Sequence, residues 1–389
     1  MSNDFDDDSS RRTWNRIATT NSLDVRDNQP IAPLTTLQTG GNAAYTAMAR
    51  NEEGLRTVLE WGHSRKLPVA LLGGGSNVVV SDTGFAGLLI RMLPDKEHPQ
   101  FVDGSDREII VDGGLDWDDV VDWTIEQGLT GLECLSGIPG RCGAAPIQNI
   151  GAYGVELADR LVSVDVMDLK TCEVRTLEAT ELAFGYRTSA LREHLAGKYA
   201  VLRLRLLLRR GEPSEAGYEE LRKALAHAPR PLSAAAVRSA VLELRRSKSM
   251  VLSPTDPNTR SVGSFFVNPV VNEETAERVR AVAAPASVPM FQQHDGQYKL
   301  AAAWLIEASG FKRGHLDGAA GLSTRHALAL INREDATTEE IVRLAWRIRQ
   351  AVAEKFGIRL QAEPVFIGSL PPALERAASL FQFRIGAGT

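Results

Sequence analysis

The sequence predicts an α+β protein built from more than one unit. Three observations carry that reading. Strand-like and helix-like segments come in blocks instead of strict alternation. Two glycine-rich tracts, Gly73–Gly75 and Gly137–Gly154, interrupt the first half of the chain. Beyond Pro231 the pattern turns helical, ending in a long helix with signals at both ends.

Residues 1–30 open with Asp4, Asp6, Asp7 and Asp8 and hold no apolar signal core, so they read as a disordered, solvated leader. Asn51–Arg65 places Leu55, Val58, Leu59 and Gly62 at helical spacing and stops before Pro68. Val69–Leu72, Val78–Val80 and Leu88–Arg91 read as short strands. Asp116 is placed to cap a helix closed by Gly128. Val162–Asp168 with Val174–Leu177 predicts a hairpin, Tyr199–Arg210 a further strand, and Gly211–Gly217 a surface loop.

Ser233 then caps a helix carrying Val237, Val241 and Leu244. After the polar loop Ser253–Arg260, helices are predicted at Asn272–Ala283, Lys299–Ser309 and Thr337–Phe356. The last has a capping box, Thr337 with Glu340, and a closing Gly357. A terminal strand is predicted over Ile358–Ile367.

Composition narrows the function. The chain has 389 residues and a net charge of −5, which argues against binding nucleic acid or an anionic membrane through a basic face. Cys134, Cys142 and Cys172 form no C-x-x-C pair, which excludes a disulfide scaffold and a cysteine-built zinc site and suits a reducing cytoplasm. No apolar run approaches the roughly 20 residues of a membrane span. His63, His98, His194, His227, His294 and His315 show no ligand spacing, so no metal is expected. No Ser-x-Gly elbow points to a hydrolase.

The glycine tracts carry the chemistry. Gly73-Gly74-Gly75 follows a buried strand and lets successive N–H groups converge on one point, as a phosphate requires. It is neither a P-loop nor a G-x-G-x-x-G turn, and alone it reads equally well as a tight surface turn. Gly137–Gly154 contains Pro139 and Pro146 and almost no charge, a composition foreign to helix or sheet cores. Such a loop suits close backbone approach to a large flat ligand, and two separated tracts suit a dinucleotide; packed interdomain turns are the alternative.

Five motifs in order carry a family resemblance: Gly73–Asn77; Ile138-Pro139-Gly140; Gln148-Asn149-Ile150-Gly151-Ala152-Tyr153-Gly154; Phe184-Gly185-Tyr186-Arg187; and Gly263-Ser264-Phe265-Phe266-Val267-Asn268-Pro269. From about Leu34 to Gly368 the chain resembles the first type of the UDP-N-acetylenolpyruvoylglucosamine reductase family. These FAD enzymes use NADPH to make UDP-N-acetylmuramate for peptidoglycan. The resemblance implies a two-part FAD-binding region of the p-cresol methylhydroxylase/vanillyl-alcohol oxidase type and a C-terminal α+β substrate-binding domain. It divides the chain into 31–94, joined by a returning strand near 358–370; 95–250, including a mobile loop around Tyr218; 251–360; and a tail, 371–389.

The same resemblance assigns residues. Non-covalent FAD would be held by Gly73, Gly74, Gly75, Ser76, Asn77, Ile138, Pro139, Gly140, Gln148, Asn149, Gly151, Ala152, Tyr153 and Gly154. Arg187 would stabilise the substrate carboxylate, Ser264 would act as general acid, and Glu363 would help position that carboxylate. Tyr186, Tyr218, Lys248, Asn268 and His326 would contact the UDP-sugar. NADPH would reduce the FAD and leave before the enolpyruvyl substrate enters the same cleft. A cytoplasmic monomer is implied.

Several positions depart from the family pattern. Val267 replaces a common lysine, Arg141-Cys142 replaces small residues, His326 stands where some relatives use glutamine, and Gln361-Ala362-Glu363-Pro364 replaces the usual Glu-Pro-Glu pattern. Two rivals remain at this stage: another flavin oxidoreductase on the same FAD-binding fold, and a non-catalytic nucleotide-sugar-binding relative.

Overall fold

The structure is a computed structural model that describes residues 23–213, 217–293 and 295–386. Its first helix, Glu52–Ser64, begins where the Asn51 side chain accepts the Gly54 N–H, and it buries Leu55, Val58 and Leu59 on one face. That face packs with Ala47, Leu88 and Ile90 of a four-stranded sheet. The strand order is Val25–Pro30, Asn42–Ala49, Phe85–Met92, Val69–Leu72. Val25–Pro30 pairs antiparallel with Asn42–Ala49, and the other two pairs are parallel.

Val25–Pro30 corrects the expectation that all of residues 1–30 form a disordered leader. Its ladder covers what would otherwise be an open edge at Asn42–Ala49. The rest of that expectation, residues 1–22, lies outside the described residues.

A five-stranded antiparallel sheet follows, ordered Val174–Glu178, Leu161–Asp168, Tyr199–Leu207, Glu108–Asp112, Gln100–Phe101. The helix Trp117–Glu126 buries Trp117, Val120 and Val121 in the same cluster as Val111, Val164 and Leu204. Asp116 occupies its N-cap position without capping it through the side chain. Instead the Trp117 N–H donates to the Gly140 carbonyl at 2.9 Å, and the Asp116 carboxylate pairs with Arg141 at 3.1 Å. The second glycine tract therefore satisfies this helix end, and Arg141 fastens the tract to it.

The C-terminal unit packs around the helix Thr338–Phe356, which buries Ile341, Leu344, Ile348 and Val352 against Leu322 and Leu330. The capping box of Thr337 and Glu340 is present, and Gly357 closes the helix at φ 68°. Asp82, from the first unit, accepts the Thr338 and Glu339 N–H groups at 2.8 Å each and holds the two units together.

Three further expectations are corrected. The predicted helix Lys299–Ser309 is shorter, Ala302–Ala308, because Tyr298–Leu300 is the central strand of a small antiparallel sheet. The switch falls where Asn268 Oδ1 accepts the Ala302 N–H at 2.9 Å. Of the predicted strand Ile358–Ile367, only Val365–Ile367 joins a sheet, beyond Pro364, which has no N–H to give a ladder. That strand runs parallel beside Val78–Val80 and returns the chain to the first glycine tract. Finally, Pro371–Ile385 is no loose tail: Leu374, Ala377, Leu380 and Phe381 are buried, and Arg384–Ile385 pairs parallel to Val365–Ile367. Residues 387–389 lie outside the described residues.

Candidate active site

The two glycine tracts meet main chain to main chain. A Cβ at Gly74 would lie 2.6 Å from the Gly140 Cα, and Gly75 and Gly140 hold φ of +67° and +128°. Ser76 Oγ donates to the Pro139 carbonyl at 2.9 Å, tying one tract to the other. Only glycine permits both the left-handed backbone and the close approach. The result is a glycine cradle that lines a cavity of about 380 Å³ with apolar walls that include Leu72, Val201 and Ile367. A glycine lining free of side chains and apolar walls fit close approach of a flat dinucleotide such as FAD. A smaller cavity of about 150 Å³ adjoins it, and Ser76, Asn77, Ile138, Pro139, Gln148 and Ile150 line both.

Arg187, Ser264 and Glu363 all line the smaller cavity. Arg187 sits at φ +57°, an unfavourable backbone for a side chain of its kind. Its guanidinium donates to the Gly151 carbonyl at 2.7 Å, so the second glycine tract aims it. Its Nε stands 3.5 Å from Glu363 Oε1. Burial pushes the Glu363 carboxyl above its usual range, against the opposing pull of Arg187 and then Arg192. The Glu363 N–H donates to the Phe265 carbonyl at 2.8 Å, which places it beside the Ser264 turn. Phe265 and Phe266, fully buried, dry that side.

Comparisons with known proteins agree with this geometry. A family model described as "FAD binding domain" matches residues 43–178, and one described as "UDP-N-acetylenolpyruvoylglucosamine reductase, C-terminal domain" matches residues 255–367. A UDP-N-acetylenolpyruvoylglucosamine reductase of Thermobifida fusca is 43% identical over 349 residues, covering 88% of this chain and 97% of the relative. One from Mycobacterium tuberculosis is 43% identical, covering 88% of this chain and 95% of the relative. The chain belongs to the UDP-N-acetylenolpyruvoylglucosamine reductase family.

The family's fold is matched too. A crystal structure of UDP-N-acetylenolpyruvylglucosamine reductase from Thermus caldophilus superposes with a TM-score of 0.60 at 24% identity, covering 89% of this chain and 98% of that one. The α+β FAD-binding fold expected from the sequence is the one observed.

The residues expected to hold cofactor or substrate fall into groups. Gly73 to Asn77, Ile138, Pro139, Gly140 and Gln148 line the larger cavity, and Gly151 the smaller. Asn149, Ala152, Tyr153 and Gly154 line neither. Asn149 is fully buried and braces the loop: Nδ2 donates to Glu156 Oε2 at 2.7 Å, and Oδ1 accepts the Ala158 N–H. Tyr153 turns toward Tyr218, ring edge to ring face at 6.2 Å, and burial pushes its phenol up to about 12.

Around the expected substrate residues, Tyr186 accepts from Asn268 Nδ2 at 3.3 Å, with Lys299 Nζ 4.7 Å from its ring centroid. Burial lowers the Lys299 ammonium below its usual range. Lys248 donates to Glu220 Oε2 at 2.6 Å, next to the exposed Tyr218. His326 Nδ1 accepts the Leu328 N–H at 3.0 Å, and burial lowers its imidazole to about 4.

Sequence reading missed Arg192 and Arg245. Arg192 is buried, donates to the Glu363 carbonyl at 2.6 Å and to Gln148 Oε1 at 3.3 Å, and leaves its Nε unpartnered. Gln148 in turn accepts from Asn77. Arg245 lines the smaller cavity, also with an unpartnered Nε. Nothing in an isolated Arg-Glu or Arg-Arg pair of letters distinguishes these from surface arginines. Among the described residues no cluster of His, Cys, Asp or Glu could hold a metal, and no helix is long and apolar enough to cross a membrane.

Proposed function

We infer that the chain catalyses the family reaction: NADPH-fed, FAD-dependent reduction of the enolpyruvyl ether of UDP-N-acetylglucosamine to UDP-N-acetylmuramate, a peptidoglycan precursor. The observation that carries this reading is the convergence of Arg187, Ser264 and Glu363 on one cavity continuous with the glycine cradle. Reduced FAD supplies the hydride that reaches the terminal vinyl carbon.

The chain's own residues then manage charge and proton. Hydride addition beside the substrate carboxylate builds a second negative charge onto it. Arg187, fixed by the Gly151 carbonyl, offers a planar cation to both carboxylate oxygens without having to reorganise. Glu363, biased by burial toward its protonated form, donates its own proton in a hydrogen bond to the same carboxylate. Ser264 delivers its hydroxyl proton to the carbon next to the carboxylate, a transfer made feasible by fixed geometry and a dry site.

Residues 31–94, with the strand Val365–Ile367, and residues 95–250 form the FAD-binding region in this reading. Residues 251–360 bind the UDP-sugar together with Tyr186, Tyr218 and Lys248, while Asn268 and His326 serve from within that unit. NADPH uses the same cleft before the sugar nucleotide. The family reading makes the chain a cytoplasmic monomer with small-molecule partners, and the net charge of −5 speaks against affinity for nucleic acid or an anionic membrane.

The test is an anaerobic visible spectrum of the FAD-loaded protein, after NADPH and again after the enolpyruvyl substrate. Yellow colour should bleach with NADPH and return only with substrate. Ser264→Ala should bleach normally and fail to regain colour on that substrate. A variant that regains colour at the wild-type rate would remove Ser264 from the proton transfer. A wild-type protein indifferent to the substrate would overturn the function.

A further inference from the structure

The match to the family's C-terminal domain ends at residue 367. The chain continues, and its last strand returns to the larger cavity. Pro371–Ile385 is anchored on the far side of the sheet: Leu380 and Phe381 are buried, with the Phe381 ring 5.1 Å from Phe366 and 6.2 Å from Phe265. Arg349 donates to Ser379 Oγ at 2.7 Å. Main-chain bonds then pin the strand, with the Phe366 N–H on the Phe383 carbonyl at 3.1 Å and the Gly368 N–H on the Ile385 carbonyl at 2.8 Å.

Exposure alternates along this strand. Phe383 and Ile385 are half-buried, while Gln382, Arg384 and Gly386 are exposed. The parallel register sets Arg384 beside Phe366 and Ile385 beside Ile367. Phe383 and Ile385 therefore share the face of Val365 and Ile367, and all four line the cavity that carries the glycine cradle. Phe383 also lies 5.5 Å from the Arg192 guanidinium, which grips the Glu363 carbonyl.

We propose that Phe383 is a cofactor-binding residue: the C-terminal strand presents its ring to a flat ring of FAD, as a wall supplied from outside the family's matched domains. This rests on the FAD-binding reading above. A half-buried aromatic ring on a strand held independently of the ligand loses little freedom on binding. It provides aromatic contact in a cavity lined, apart from Trp117 and Tyr199, largely by glycine and aliphatic residues.

The experiment is titration of apoprotein with FAD, followed by quenching of flavin fluorescence, for the wild type and Phe383→Ala. Unfolding temperature of both apoproteins is measured in parallel. The anchors Leu380 and Phe381 are untouched, so the variant should unfold near the wild-type temperature and bind FAD about tenfold more weakly. If Phe383→Ala does not fold, Phe383→Leu replaces it, and weaker FAD binding by that folded variant supports the proposal. Wild-type FAD affinity in either folded variant overturns it. Wild-type protein that takes up no FAD would instead overturn the FAD-binding reading itself.

Discussion

Arg192 donates to the main-chain carbonyl of Glu363 at 2.6 Å, bridging residues 171 positions apart. The bond joins the segment after the Tyr186-Arg187 motif to the segment leading into Val365–Ile367. With Asn77 and Gln148 it forms a part-buried polar network that fixes the main chain at Glu363, whose carboxyl faces Arg187. Such networks act as a unit, because a buried member such as Arg192 left without its partner keeps its desolvation cost.

Arg192 is accordingly a positioning residue. Arg192→Ala should leave the Glu363 carbonyl short of a partner and cost roughly 1–3 kcal/mol of stability. Flavin re-oxidation by the enolpyruvyl substrate should slow about tenfold or more, the scale of a misplaced catalytic group. Bleaching by NADPH should change far less, and Arg192→Lys should recover part of the loss. Stopped-flow measurement of the two half-reactions decides it; equal slowing of both would mean a general structural defect.

His326 predicts a pH dependence. Burial, with Lys248 adding to it and Glu307 opposing, lowers the imidazole from 6.5 to about 4, so the folded protein favours the neutral ring. Nδ1 already accepts the Leu328 N–H, which a proton there would forbid. A depressed histidine stabilises the fold above its unfolded pKa, and that stability is lost as pH falls from about 6.5 through about 4. Between pH 7.5 and 4.5 the wild type should lose roughly 2 kcal/mol that His326→Gln does not, as read by urea denaturation at both values. Parallel losses in the two proteins would exclude His326 as the source.

Gly74 predicts cofactor loss by steric contact. In Gly74→Ala the new Cβ would meet the Gly140 Cα at 2.6 Å, and both partners are main chain. The tracts must separate, so the purified variant should be nearly colourless, with FAD affinity reduced more than tenfold on the scale of a few kcal/mol of strain. Absorbance of the purified protein against its ultraviolet peak checks this, and full yellow colour would show that the cradle tolerates a side chain.

Much of the local structure was legible because its causes are local. Asn51, Ser233 and Thr337 cap helices with their own side chains, and Gly357 ends the last one in the left-handed region. Where a distant partner decides, local reading failed. Asp116 pairs with Arg141 instead of capping its helix, whose first N–H goes to the Gly140 carbonyl, and Val25–Pro30 became a strand because Asn42–Ala49 offered it a ladder. Lys299 left its predicted helix for the centre of a three-stranded sheet.

The same division holds at the site. By itself the sequence determined the glycine tracts, the motifs around Arg187 and Ser264, and through them the family, because backbone freedom and reactive groups belong to single residues. Only the tertiary structure decided that Gly74 touches Gly140, that Arg192 grips Glu363, that Asn149 braces the loop, and that Phe383 lines the same cavity as the glycine tracts. Those relationships join segments far apart in the chain, and their energies exist only once burial has removed the water that would otherwise satisfy each group alone.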